Sequence, residues 1–223
     1  MIRLILLIVS GIISGVLDKY LNVLPYELPG GFWGGELQNF LTGLAGLGNA
    51  IFLWVFIGSL IAAFSLSPRH AGLNTSAYLF SMTVGYYIFS NLWYHINYIR
   101  WFILWSVISV ISFFIGYIFW HARGRGRIAV ILVSLPTGMM LTSFFLAVKT
   151  MASQNGWYWS RRHWIGSIPT LIFSLVAFVI LLLLLQRGLK QRLYALLFSA
   201  GFAAIALLGL SAAPDWLRVL LNV

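Results

Sequence analysis

Apolar residues in this chain fall in long unbroken runs, not in the alternation of a half-buried strand or the one-sided spacing of a surface helix. The clearest are Ile51–Leu66, Phe102–Trp120, Ile128–Val148, Ile168–Leu185 and Leu193–Ala213. A helix needs roughly 20 residues to cross a hydrocarbon layer about 30 Å thick, and only helices or closed barrels satisfy their backbone polar groups there. Read against Gly, Pro and charged breaks, the pattern predicts an all-α polytopic transmembrane helix bundle. Its seven helices are expected near 3–18, 45–66, 75–95, 100–121, 127–149, 166–187 and 192–213. The opening MIRLILLIVSGIISGVLDKY has a basic residue before a short apolar stretch, as a signal peptide does, but no convincing small-x-small cleavage site follows. It is read as a short first helix that stays.

Composition sharpens this picture. Of 223 residues, 61% are hydrophobic and 8% charged, against roughly a quarter charged in a soluble domain. The net charge of +10 would point to nucleic acid in a soluble chain. Here the basic residues sit in short spans between apolar runs, where they set membrane orientation, and no nucleic-acid partner is expected. With Cys 0, disulfides, thiolate metal sites and cysteine nucleophiles are excluded. The turns HARGRGR and QRGLKQR are the tightest basic clusters. Placing them inside puts the N-terminus in and the C-terminus out, in the inner membrane of a bacterium, and leaves all four acids, Asp18, Glu27, Glu36 and Asp215, on the outer side. The segment LPYELPGGFWGGELQNF, rich in Pro and Gly, is expected to be an outer loop that caps the bundle or lids a cavity.

An offset of about 124 residues lays RLILLIVSG on RIAVILVSL and Arg3 on Arg127. This predicts two parallel repeats, 1–95 and 127–217, around a linker helix at 100–121, within a single membrane domain.

Three polar sets are candidates for chemistry. Tyr87, Asn91 and His95 follow at i, i+4 and i+8 and so share a helix face. Polar groups at membrane depth need water, ligand or protein partners, so this face is either a cavity wall or interhelical glue. In KTMASQNGWYWSRRHW, Trp157 and Trp159 interleave with Arg161 and Arg162, which fits interfacial anchoring or a clamp on an anionic headgroup. Ser10, Gly11, Ser14 and Gly15, then Gly58 and Ala62, then Ala200, Ala203, Ala204 and Gly209, suit close helix packing. Pro136 is expected to kink its helix, with Thr137 and Thr142 close by to bond freed carbonyls. No catalytic or metal-ligating constellation is read, and no cofactor is expected, since no His/acid ligand spacing, nucleophile elbow or phosphate loop occurs.

GIISGVLDKYLNVLP, GNAIFLWVFIGSLIAA, VGYYIFSNLW, HARGRGR and LLLLQRGLKQR together make the chain resemble a bacterial family of small polytopic membrane proteins classed as a domain of unknown function. The resemblance covers most of the chain and implies a multi-pass bundle but no activity. Where that family has a Glu in its fifth helix, this chain reads PTGMMLTSFF. The three-plus-one-plus-three layout also resembles that of vitamin and sugar carriers. The expected function is therefore a small permease or substrate-binding membrane subunit for a small molecule or lipid. The alternatives are an accessory scaffold for a partner membrane subunit and an enzyme acting on a lipid-linked phosphate.

Overall fold

The computed structural model describes residues 2–27, 32–49, 51–95, 99–124, 126–152, 157–186 and 188–212; for 24–27, 32–34, 48–49, 157–163 and 210–212 it describes the backbone alone. The described residues form eight α-helices and no strand: α1 (Ile2–Glu27), α2 (Phe32–Asn49), α3 (Ile51–Ala63), α4 (Pro68–Tyr94), α5 (Ile99–Phe119), α6 (Arg127–Ala152), α7 (Trp157–Leu185) and α8 (Leu189–Ala212), with a 3-10 turn at Trp120–Arg123 after α5. Five stretches are long and apolar enough to cross a membrane: Ile2–Val23, Ile99–Arg123, Arg127–Ala152, Trp164–Leu185 and Leu189–Gly209. A sixth arises if Gly35–Leu47 and Ile51–Ala63, bent by 53°, are one broken span.

These elements correct the expected boundaries. The first helix is not a short 3–18 segment but runs 26 residues to Glu27, about 39 Å at 1.5 Å per residue. The Pro/Gly-rich outer loop is largely absorbed into helix, because α2 begins at Phe32 and carries FWGGELQNF. The expected third helix starts seven residues early. Ser67 in extended geometry accepts the His70 N–H at 3.3 Å, and Pro68 takes the first helical position, where it has no N–H to waste. The second aromatic segment is likewise helical from Trp157.

The chain divides into two compact units, the first of Met1–Val23 and Ile57–His121, the second of Leu24–Phe56 and Ala122–Val223. In the first, α4 is the polar centre. It has 27 residues, enough length to span, yet it is not among the apolar five. Its buried positions include Thr75, Ser81, Thr83 and Ser90, so its polar side is turned into protein. Two glycines set its approach to α1. A Cβ on Gly11 would coincide with the Ser81 hydroxyl, and one on Gly15 with the Met82 carbonyl oxygen, so backbones meet there as they do at small-residue seams in membranes. On another side α5 packs along α4, with Phe113 against Gly72 and the Ser109 hydroxyl 3.5 Å from that of Thr83. The outer face of α5, with Val110, Phe114, Ile115 and Ile118, stays exposed, as a lipid-facing stripe requires. At one end the Trp120 indole N–H donates to the Ser65 carbonyl at 2.9 Å and Asn74 donates to the Ser65 hydroxyl at 2.9 Å.

In the second unit α6 packs against both α7 and α8, and α2 lies along α7, where Gly43 meets the backbone of Gly166. Phe173 takes Phe56 edge-on at 5.5 Å between centroids. Pro136 is buried inside α6. Thr137 donates to the Val133 carbonyl at 2.7 Å, one residue beyond the Leu132 carbonyl that the proline leaves without its i+4 donor. The Thr137 hydroxyl also lies 2.6 Å from that of Ser199 on α8, so the polar atoms beside Pro136 join helices. Gln186, fully buried after α7, donates to the Ala129 carbonyl at 3.3 Å, and Arg192 donates to the Gln186 carbonyl at 2.9 Å.

Candidate functional site

The strongest polar concentration in the first unit lies where α1 and the C-terminal part of α4 meet. Because α1 continues to Glu27, Asp18 and Lys19 are helical residues inside the apolar stretch Ile2–Val23, not members of an outer loop. Asp18 is 8% exposed and Lys19 7%. Charged groups so placed in a spanning helix are costly and mark functional positions by default.

The two side chains are held differently. Asn22, one turn on, donates to the Asp18 backbone carbonyl at 2.9 Å and reaches the Asp18 carboxylate at 3.4 Å. Lys19 Nζ instead lies over two rings of α4, 5.4 Å from the centroid of Tyr86 and 5.6 Å from that of Tyr94. Ring faces are negative and attract an ammonium, an interaction that strengthens when the cation is desolvated. They supply no lone-pair acceptor, and among the described residues Lys19 has no hydrogen-bond acceptor. Tyr86 and Tyr94 are eight residues apart, so Ser90 lies between them on the same face. Ser90 is 0% exposed, and among the described residues its Oγ has no hydrogen-bond partner. Deeper on the same pair of helices, the Tyr78 hydroxyl donates to Ser14 Oγ at 3.0 Å.

The residues singled out from the sequence lie beside this cluster. Tyr87 is half-buried and meets Phe102 of α5 edge-on at 5.6 Å and Tyr86 at 5.1 Å. Asn91 is exposed, one turn along the same face. His95 leaves that face: it is the C-cap of α4, left-handed at φ 53°, exposed, with its N–H on the carbonyls of Asn91 and Ser90. Trp157, Trp159, Arg161 and Arg162 fall in the first turns of α7, and their side chains lie outside the described residues. Sequence reasoning missed Lys19, Asp18, Tyr86, Ser90 and Tyr94. The usable signal was the i, i+4, i+8 set one position earlier on α4, Tyr86, Ser90 and Tyr94.

Among the described residues no group of three or more His, Cys, Asp or Glu is arranged to hold a metal ion. The chain matches no family model, no curated protein and no solved structure.

Proposed function

We propose that the chain is a multi-pass carrier or substrate-binding membrane subunit for a small solute, and that its site is built on α1 and α4 of the first unit. In this reading α4 and the bent α2–α3 pair also cross the membrane, making seven crossings with the five apolar stretches. With the N-terminus inside, Lys19 and the C-terminal end of α4 lie toward the outer side. The observation that carries the reading is the acid and base buried in a spanning stretch, with Lys19 held by ring faces and, among the described residues, lacking an acceptor. A helix interface needs neither charge, because apolar or small residues pack at lower cost.

The close glycine contacts between α1 and α4 favour a second reading, a rigid accessory protein with a dry polar interior. Because the chain has no cysteine, Ser90→Cys is a unique reporter. A carrier must admit water to its site from one side, so a small impermeant thiol reagent should label Ser90→Cys in native membranes. A thiol that reacts only after unfolding in detergent would overturn the carrier reading and leave the scaffold.

A further inference from the structure

We propose that Lys19 anchors an oxyanion, a carboxylate or phosphate group borne by a free solute or a lipid headgroup, with the Ser90 hydroxyl as its second donor. The inference rests on the proposed site but names a ligand class that the carrier reading leaves open. Lys19 is 7% exposed as a residue, and its ammonium has three donors to place. Its described neighbours are the ring faces of Tyr86 and Tyr94, which attract charge but accept no hydrogen bond of ordinary strength. One further polar atom on that face, Ser90 Oγ, is also without a hydrogen-bond partner among the described residues. Ser90 lies on the α4 turn between the two rings that flank Nζ. An acceptor with several lone pairs could take a hydrogen bond from each of these two donors, and an oxyanion is the smallest group that does so.

Tyr86 and Tyr94 then act as walls. A charge-assisted hydrogen bond is stronger than a cation–π contact, so an arriving oxyanion displaces a ring edge and not the lysine. Asp18 opposes the ligand. Neighbouring positions on a helix point about 100° apart, and the Asp18 carboxylate turns to Asn22 at 3.4 Å and does not cover Nζ. It offsets the lysine charge when the site is empty and repels an anion when it is filled. This gives the proposal a signature with a sign: removing Lys19 should abolish anion binding, whereas removing the Asp18 charge should strengthen it.

The experiment is thermal unfolding of the purified full chain in phosphatidylcholine nanodiscs, titrated with sodium phosphate or sodium succinate at ionic strength matched with chloride. The wild type should be stabilised with a saturating dose response. Lys19→Met should lose the response, Lys19→Arg should keep it, and Asp18→Asn should reach half-effect at about tenfold lower concentration, as expected for a like charge removed at short range. If mixed phosphatidylglycerol nanodiscs abolish the response to free anions, the headgroup is the resident ligand; if the response persists, the ligand is a solute. No stabilisation by phosphate, succinate or phosphatidylglycerol would overturn the proposal, as would a response unchanged in Asp18→Asn even where Lys19→Met fails to fold. Anion binding with an unlabelled Ser90→Cys would leave a fixed anion site without transport. A labelled Ser90→Cys without anion binding would leave a water-filled path with no anchor.

Discussion

Lys19 sits in a spanning helix because ring faces offset part of the cost of removing its charge from water. A desolvated ammonium gains on the order of 2 kcal/mol from a well-placed ring, and Lys19 has two at 5.4 and 5.6 Å. The contribution belongs to the ring and not to the phenol hydroxyl, which separates two substitutions. Tyr86→Phe should leave the melting temperature in detergent nearly unchanged, within about 0.5 kcal/mol, whereas Tyr86→Leu should cost roughly 1–2 kcal/mol. Equal losses in both would assign the stabilisation to the hydroxyl and sink the cation–π account. At this scale the sequence was only half legible. The i+4 polar ladder on α4 was visible, but Tyr87–Asn91–His95 and Tyr86–Ser90–Tyr94 are the same pattern offset by one residue, and periodicity alone does not say which is turned inward. The choice depends on where α1 lies, a tertiary fact. His95 shows a second limit, because its left-handed φ of 53° removes it from the face that an unbroken helix would give it.

Between elements, the backbone seam of α1 on α4 is the most demanding contact in the first unit. Gly15 meets the Met82 carbonyl oxygen and the Tyr86 amide of α4, so a side chain there collides with backbone that has no rotamer in which to yield. Gly15→Val should therefore cost more than the 1–3 kcal/mol usual for overpacking, or prevent folding. Gly35→Ala is the control, since a Cβ there meets nothing within 4 Å, and its effect should be neutral or stabilising by up to about 1 kcal/mol through helix propensity. Thermal melts of the two variants check the contrast, and a well-folded Gly15→Val would mean that the helices are further apart than described. The run Ser10, Gly11, Ser14, Gly15 announced this seam in the sequence, because small residues every three or four positions have few other uses in a spanning helix. The end of α1 was not announced. The apolar run stops at Leu17, whereas the helix continues through Asp18, Lys19 and Asn22, held there by α4 partners that are remote in sequence.

For the molecule as a whole, hydropathy found the five apolar stretches because burial in lipid leaves a signal in every residue of a helix. It could not place the ends of α4, whose inward side carries Thr75, Ser81, Thr83 and Ser90, since a helix shielded by protein need not be apolar. Nor could it foresee that FWGGELQNF would be helical, because four glycines within six residues read locally as a turn. Orientation depends on the basic turns. Gly124 lies between Arg123 and Arg127, and Gly188 between Gln186 and Lys190, with Arg125 and Arg187 adding to the cluster and no acid in either turn. Compact basic clusters beside helix ends resist translocation across an energised membrane, so both turns are proposed to stay in the cytoplasm, and an odd number of crossings then carries the C-terminal end outside. In this cysteine-free chain, Gly124→Cys and Asn222→Cys, made separately, report on opposite sides. On intact cells an impermeant maleimide should label position 222 and not 124, and permeabilising the inner membrane should expose 124. The reverse pattern would invert the topology and turn the Lys19 site inward. Labelling at both or at neither would place the two positions on one side, which requires an even number of crossings between them, and would remove one of α6, α7 and α8 from the set of spanning segments.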